Sequence, residues 1–197
     1  MTSYTPPPAD AFVARLTESP FCAAIVAGGD LDAALASRSP IIFVLRGNGL
    51  DLGETVRRIH AAGKLVAVHL DLVDGIRPDH WGVTWLARSG VDAIITSHGQ
   101  LIPVIRSEGA TAIHRLLLSR RSHLDTAVSA LLRSRPDIVE ILPGVILPAV
   151  ADQLPRLDVP LLAGGFIRTE PDARAALAAG AIGVTTSSQT LWALGGN

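Results

Sequence analysis

Short apolar segments alternate with longer amphipathic segments along this chain of 197 residues. The apolar segments are nearly continuous in Val, Ile, Leu and Ala, which is typical of parallel strands buried on both faces. The segments between them carry apolar residues at helical spacing and commonly end at a glycine. Eight strands are predicted, at Cys22–Ala27, Ile41–Leu45, Leu65–Leu72, Ala93–Thr96, Ala112–Leu117, Ile138–Leu142, Leu161–Ala163 and Ile182–Thr185.

This alternation of strand and helix predicts the fold class. Strands that are joined through helices form right-handed parallel crossovers, and eight such units favour a closed (β/α)8 TIM-barrel-like fold over an open sheet. The glycine-rich motifs of nucleotide-binding open sheets are absent from the sequence. We predict a compact α/β protein with one barrel domain over residues 11–197. The polar, proline-rich residues 1–10 are expected to be disordered.

Composition narrows the classes of function. The net charge is -1, so the chain has no general excess of basic residues for binding a nucleic acid. Cys22 is the only cysteine, which excludes an internal disulfide and fits a reducing cytoplasm. No apolar run reaches the ~20 residues that a membrane-spanning helix needs. We expect a cytoplasmic protein with no cofactor, no bound metal and no membrane partner.

The last two strands end in residues suited to holding a phosphate. A glycine pair follows the seventh strand, and a Thr/Ser cluster follows the eighth. Glycine lets the backbone approach a ligand closely, and hydroxyls and loop N–H groups can then bind its oxygen atoms. Loops after the last two strands are also where a (β/α)8 barrel usually binds phosphate. The predicted phosphate site comprises Gly164, Gly165, Arg168, Thr185, Thr186 and Ser187.

Three titratable residues lie in other predicted strands. His69 and Asp71 alternate with apolar residues, so they are expected on the same side of the third strand. Glu140 is an isolated acid in the sixth strand. Such groups are costly inside a barrel unless they are paired or used. Two interpretations stay open: buried pairs that stabilise the barrel, or a ligand-binding or catalytic set.

The densest cationic cluster begins in the fifth strand, with His114 and Arg115, and continues after it with Arg120, Arg121 and His123. A cluster of this kind can contact a polyanion, and it can equally be a solvated loop.

Several of these segments together resemble the glycerol-3-phosphate-responsive antiterminator family. They are His69–Gly75, Asp137–Gly144, Ala163–Thr169, Ala179–Ala181 and Val184–Ser187 with Leu191-Trp192, and the resemblance covers about residues 20 to 194. It implies a barrel that binds glycerol 3-phosphate. It further implies that the liganded protein acts on leader mRNA and prevents premature termination of glycerol-utilisation genes.

The resemblance also implies roles for individual residues. Gly164, Gly165, Thr186 and Ser187 would hold the phosphate, with Arg168 nearby. His69, Asp71 and Glu140 would read the glycerol hydroxyls, and Arg115, Arg120 and Arg121 are candidate RNA contacts. The sequence departs from the family in lacking an acidic residue close after the fifth strand, and it leaves homo-oligomerisation open.

Two other functions remain as alternatives. The first is an isomerase, aldolase or phosphodiesterase acting on a small phosphorylated metabolite, with His69, Asp71 and Glu140 as its acid–base set. The second is a sensor whose output is a protein partner rather than RNA.

Overall fold

The chain forms a barrel of parallel strands surrounded by helices. A computed structural model describes residues 4–26, 29–118, 124–154 and 158–195. The strands in these residues are β1 (Phe21–Val26), β2 (Ile41–Asn48), β3 (Leu65–His69), β4 (Val73–Asp74), β5 (Ala93–Thr96), β6 (Thr111–Leu117), β7 (Ile138–Leu142), β8 (Leu161–Gly164) and β9 (Ala181–Thr186). The helices are α1 (Ala9–Glu18), α2 (Leu31–Ala36), α3 (Gly49–Ala61), α4 (His80–Arg88), α5 (Ile102–Ser107), α6 (Leu124–Ser134), α7 (Leu147–Val150), α8 (Glu170–Ala178) and α9 (Gln189–Trp192). Short 3-10 helices cover Leu70–Leu72, Gly99–Leu101, Gly144–Ile146 and Ala151–Gln153.

The sheet closes on itself through β1, which pairs with both β2 and β9. All pairings are parallel, and eight strands complete the ring in the order β1-β2-β3-β5-β6-β7-β8-β9. The two-residue β4 lies outside the ring and pairs with the end of β2, where Gly47 aligns with Val73 and Asn48 with Asp74. The predicted (β/α)8 TIM-barrel-like fold is confirmed.

Alternate residues along the strands fill the barrel interior. Those that face inward form one buried cluster with Phe12 and Leu16 of α1. The strand residues between them face outward and pack against the surrounding helices in two further clusters. Only Ser19 and Pro20 separate α1 from β1, so α1 lies at the N-terminal end of the barrel and closes it. The inward-facing strand residues are Cys22, Ala24, Ile41, Phe43, Ala67, Ala93, Ile95, Ile113, Ile138 and Leu162.

The N-terminal segment differs from the disorder expected for residues 1–10. Helix α1 already begins at Ala9, so the expected boundary is wrong for Ala9 and Asp10. Further upstream, the Tyr4 hydroxyl donates a hydrogen bond to Asp92, and the Tyr4 ring stacks on His60 with 4.1 Å between ring centroids. Asp92 is fully buried and also accepts a hydrogen bond from the Val66 N–H at 2.7 Å. A buried carboxylate requires hydrogen-bond donors of this kind. The bond from Tyr4 to Asp92 therefore holds Tyr4 against the barrel.

The closure of the barrel by α1 predicts a large loss of stability in a Phe12→Ala variant. The Phe12 side chain is fully buried, so its truncation removes apolar burial and leaves a cavity. We expect the free energy of unfolding to fall by about 3–5 kcal/mol. Urea denaturation followed by circular dichroism measures this change. A Leu132→Ala variant is the control, because Leu132 is 67% exposed. An equal loss in the two variants would contradict the role assigned to α1.

Candidate functional site

A buried ion pair lies inside the C-terminal end of the barrel. Arg115 follows the inward-facing Ile113 by two residues, and Glu140 follows the inward-facing Ile138 by two, so both side chains point inward. Arg115 Nε donates a hydrogen bond to Glu140 Oε2 at 2.6 Å. The side chain of Glu140 is 1% exposed and that of Arg115 is 11% exposed. Of the two interpretations left open for Glu140, the structure shows the buried pair, with Arg115 as the partner.

Residues of the two neighbouring strands, β8 and β9, accommodate the ion pair of Arg115 and Glu140. The Thr185 hydroxyl of β9 donates to Glu140 Oε1 at 3.2 Å. Gly164 at the end of β8 leaves the necessary space, because a Cβ there would lie 2.5 Å from Glu140 Oε1 and 2.6 Å from Thr185 Oγ1. Gly165 then turns the chain with a φ of 82°, a conformation that glycine adopts without strain. The glycine pair is thus needed for close packing and for a turn at the barrel mouth.

Thr186 connects the loops that follow β8 and β9. Its hydroxyl donates to the Ile167 carbonyl at 2.6 Å and accepts from the Ser188 N–H at 3.0 Å. Its own carbonyl accepts from Trp192 Nε1 at 2.7 Å. The Thr186 hydroxyl is therefore already engaged in holding the two loops together. Of the predicted phosphate site, Ser187 and Arg168 keep exposed side chains.

The two loops and the ion pair enclose a cavity of about 320 Å³. Its polar walls are Arg115, Glu140, Arg168, Thr185, Thr186 and Ser187. Its apolar walls include Leu45, Leu142 and Phe166, which the sequence analysis did not identify. In the described part of the chain, the Arg168 guanidinium makes no ion pair. The cavity therefore has a neutralised ion pair at its inner end and a free cation at its rim.

His69 and Asp71 are not arranged as the alternation of the third strand predicts. Strand β3 ends at His69, and Asp71 lies in the following 3-10 helix, so the two residues do not share one side of a strand. Asp71 accepts hydrogen bonds from the Thr96 hydroxyl at 2.6 Å and the Ser97 N–H at 2.8 Å. The His69–Asp71 pair, one of the two interpretations left open, is not formed, because both ring nitrogens of His69 are buried without a partner in the described residues. Neither residue is among those that line the cavity.

The two members of the predicted cationic cluster that the structure describes, His114 and Arg115, point in opposite directions from β6. Arg115 points into the barrel, which is a correction to its prediction as an RNA contact. His114 faces the opposite way, is 2% exposed and contacts the Ser134 hydroxyl through Nδ1 at 2.9 Å. Arg120, Arg121 and His123 lie outside the described residues. The alternation with Ile113 is the signal that could have placed Arg115 inside the barrel.

The described residues include no group of three or more His, Cys, Asp or Glu side chains placed to hold a metal ion. They also include no helix with the length and apolar character required to cross a membrane.

The environment of His69 predicts a dependence of stability on pH. Burial, and secondarily the positive charge of Arg115, lower the pKa of His69 from 6.5 to about 4, while Asp71 opposes the shift. Between these pH values the unfolded chain binds a proton that the folded chain does not. Stability is therefore highest above pH 6.5 and falls as the pH drops towards 4, by ~1.4 kcal/mol per pH unit for one such proton. Burial also lowers the pKa of His114, which adds to the same slope.

A His69→Leu variant should show a shallower slope over this pH range, because it lacks one of the two groups. Urea unfolding at a series of pH values measures the slope. A variant of the exposed His80, His80→Ala, is the control and should keep the slope of the original protein. An unchanged slope in His69→Leu would show that His69 takes up its proton normally in the folded state.

Comparison with known proteins adds to this geometry. The family of glycerol-3-phosphate responsive antiterminators matches residues 21–192. The chain is also 31% identical over 180 residues to the uncharacterized protein YgcP of Escherichia coli (strain K12), a match that covers 91% of this chain and 94% of YgcP.

Two of the solved structures with a similar fold are glycerol uptake operon antiterminator or antiterminator-related proteins. The glycerol uptake operon antiterminator regulatory protein of Listeria monocytogenes is 30% identical, with a TM-score of 0.80 over 87% of this chain and 94% of that one. A glycerol uptake operon antiterminator-related protein of Thermotoga maritima is 25% identical, with a TM-score of 0.79 over 88% of this chain and 98% of that one. The family match spans the whole barrel, from β1 to α9. This chain belongs to the glycerol-3-phosphate responsive antiterminator family.

Proposed function

We propose that the cavity at the C-terminal end of the barrel binds glycerol 3-phosphate. We propose also that the liganded protein acts on the leader mRNA of glycerol-utilisation genes to prevent premature termination. The observation that carries the proposal is the family match, joined to a cavity of about 320 Å³ with a cationic rim. This volume is at the small end of the ~300–1,000 Å³ usual for ligand sites, which suits a small metabolite.

The charges of the cavity support one orientation of the ligand. A phosphate monoester carries a charge of about −1.5 to −2 at neutral pH. Its phosphate is favoured at the rim, beside Arg168, Ser187 and the turn at Gly165. The glycerol part is then directed towards Arg115 and Glu140. Within the described residues, each carboxylate oxygen of Glu140 accepts one protein hydrogen bond, which leaves a second lone pair on each for a hydroxyl.

His69 and Asp71 have weaker support as glycerol contacts than Glu140. The unpartnered ring of His69 can bind a hydroxyl only if the ligand or a water reaches beyond the cavity wall. Both carboxylate oxygens of Asp71 already accept hydrogen bonds from the protein. Glu140 is therefore the residue that we expect to distinguish glycerol 3-phosphate from phosphates without hydroxyls.

Binding without turnover is also part of the proposal. A Schiff-base aldolase needs a lysine in its site, and the only lysine of this chain, Lys64, precedes β3 at the other end of the barrel. Its ammonium group donates to the carbonyls of Ser37 at 2.7 Å and Ser39 at 2.5 Å. Glu140, the strongest candidate for a general base, is held by Arg115 and Thr185. These features favour a sensor over an acid–base enzyme.

Isothermal titration calorimetry tests the ligand and its orientation. We expect a one-to-one complex with glycerol 3-phosphate, much weaker binding of glycerol or inorganic phosphate alone, and no consumption of the ligand. An Arg168→Ala variant should bind about ten- to a hundredfold more weakly, because it loses a charge-assisted contact. The control is Arg174→Ala, which removes an exposed arginine of α8 that pairs with Glu170. Equal affinity in the two variants would exclude the proposed phosphate position, and no heat with any small phosphate would exclude the ligand class.

Filter binding of a glycerol-operon leader RNA tests the proposed action of the liganded protein on RNA. Retention of the RNA should depend on glycerol 3-phosphate and should weaken as the salt concentration rises, because phosphate contacts dominate the affinity. A double variant, Arg120→Ala with Arg121→Ala, should reduce both retention and its salt dependence. The control removes two arginines of α3, Arg57 and Arg58, which pair with Glu54 and Asp32. Ligand binding by calorimetry without any RNA retention would instead favour a protein partner.

A further inference from the structure

A second and larger cavity lies outside the barrel, between the N-terminal ends of α3 and α4. It is an open groove of about 590 Å³ with Leu50, Ile76, Trp81 and Trp85 in its walls. Leu50 is 92% exposed and Trp81 is 71% exposed. Apolar patches that are rimmed by polar residues commonly mark interaction sites. We call this feature the tryptophan groove.

The tryptophan groove is held in shape by both helix ends. Asn48 caps α3 by accepting from the Leu50 N–H at 3.0 Å, and Asp79 caps α4 by accepting from the Gly82 N–H at 2.9 Å. A Cβ on Gly82 would lie 2.0 Å from the Arg77 carbonyl oxygen, so glycine is required where α4 meets the preceding turn. A backbone that is already ordered loses little freedom when a partner docks, which lowers the cost of association.

Charges at the rim distinguish between partners. Asp74, Arg77 and Asp79 line the groove, and neither Asp74 nor Arg77 has an ion-pair partner in the described ranges of the chain. Two acids and one base give a potential that does not attract a polyanion such as RNA. A patch that carries both signs can instead complement itself across a twofold axis, because residue i of one copy then meets residue j of the other, and the reverse.

We propose that the tryptophan groove binds a second copy of this chain in a twofold-symmetric dimer. Leu50 of each copy packs against Trp81 of the other, and Asp74 of each copy faces Arg77 of the other. The unpaired charges and the protruding leucine of one monomer thereby acquire partners of matching chemistry. The tryptophan groove shares no lining residue with the cavity at the barrel mouth, so the dimer does not require the proposed ligand.

Analytical ultracentrifugation of the full chain over a wide range of concentrations tests this dimer. The original protein should sediment as a dimer, whereas Leu50→Asp and Trp81→Glu should each raise the dissociation constant by about tenfold or more, because each removes a central apolar contact. The matched control is Leu132→Asp, which places the same charge at an exposed leucine of α6 and should remain dimeric. Circular dichroism establishes that each variant is folded.

A charge exchange tests the symmetry. Asp74→Arg and Arg77→Asp, each alone, bring like charges together at both ends of the interface and should sediment as monomers. Their equimolar mixture should recover the dimer, because each copy then carries the complement of the other. A structural defect in either variant would not be repaired by mixing.

Four results would overturn the proposal. They are a monomeric original protein at all concentrations, undiminished association of the Leu50→Asp and Trp81→Glu variants, a charge-exchange mixture that stays monomeric, or a loss of RNA retention by Trp81→Glu with no change in sedimentation. The last result would assign the groove to RNA.

Discussion

The ion pair of Arg115 and Glu140 is the interaction around which the barrel mouth is built. Two charges removed from water cost several kcal/mol each, so they persist only with close geometry and further hydrogen bonds. The parallel register aligns the two residues directly across β6 and β7. Thr185 supplies a further hydrogen bond from β9, and Gly164 of β8 keeps its place free of a side chain. Four consecutive strands, β6 to β9, thus each contribute a residue that forms or accommodates this ion pair.

This pairing also gives the cavity its polarity. Because Glu140 is neutralised by Arg115, the inner end can accept hydroxyl groups without the repulsion that a free carboxylate would exert on a nearby phosphate. Among the residues that the structure describes, Arg168 has no ion-pair partner at the rim, where it can contribute its full charge to a ligand. The cavity is thus positively charged at its rim and close to neutral at its inner end. A molecule with one anionic end and one hydroxylated end fits this distribution of charge better than a molecule charged at both ends.

The strand pattern could be predicted from the sequence because buried parallel strands are continuous apolar runs, and the two loops after β8 and β9 were recognised by their glycines and hydroxyls. The inward position of Arg115 was missed, since a run of basic residues outweighed its alternation with Ile113. The place of Asp71 was missed because alternation was extended beyond His69, where a 3-10 helix ends the strand. The disorder predicted for residues 1–10 overlaps the first two residues of α1, Ala9 and Asp10, because the three prolines before them suggest disorder, although proline is compatible with the start of a helix. The caps at the tryptophan groove are local contacts of Asn48 and Asp79, residue types that the sequence marks as helix starts. That the two helix ends lie side by side depends on tertiary geometry and has no clear signal in the sequence.

Closure of the sheet has a consequence for how copies of this protein can meet. Strand β1 pairs on both sides, so the ring offers no unpaired backbone to a neighbouring chain. In the described part of the chain, the strand outside the ring is β4, which is two residues long and ends at the exposed Asp74. An edge so short, carrying a charge, is a poor template for adding a strand. Association of copies through these strands is therefore disfavoured, and contacts between surface side chains can be formed, weakened or lost by substitutions that leave the barrel intact.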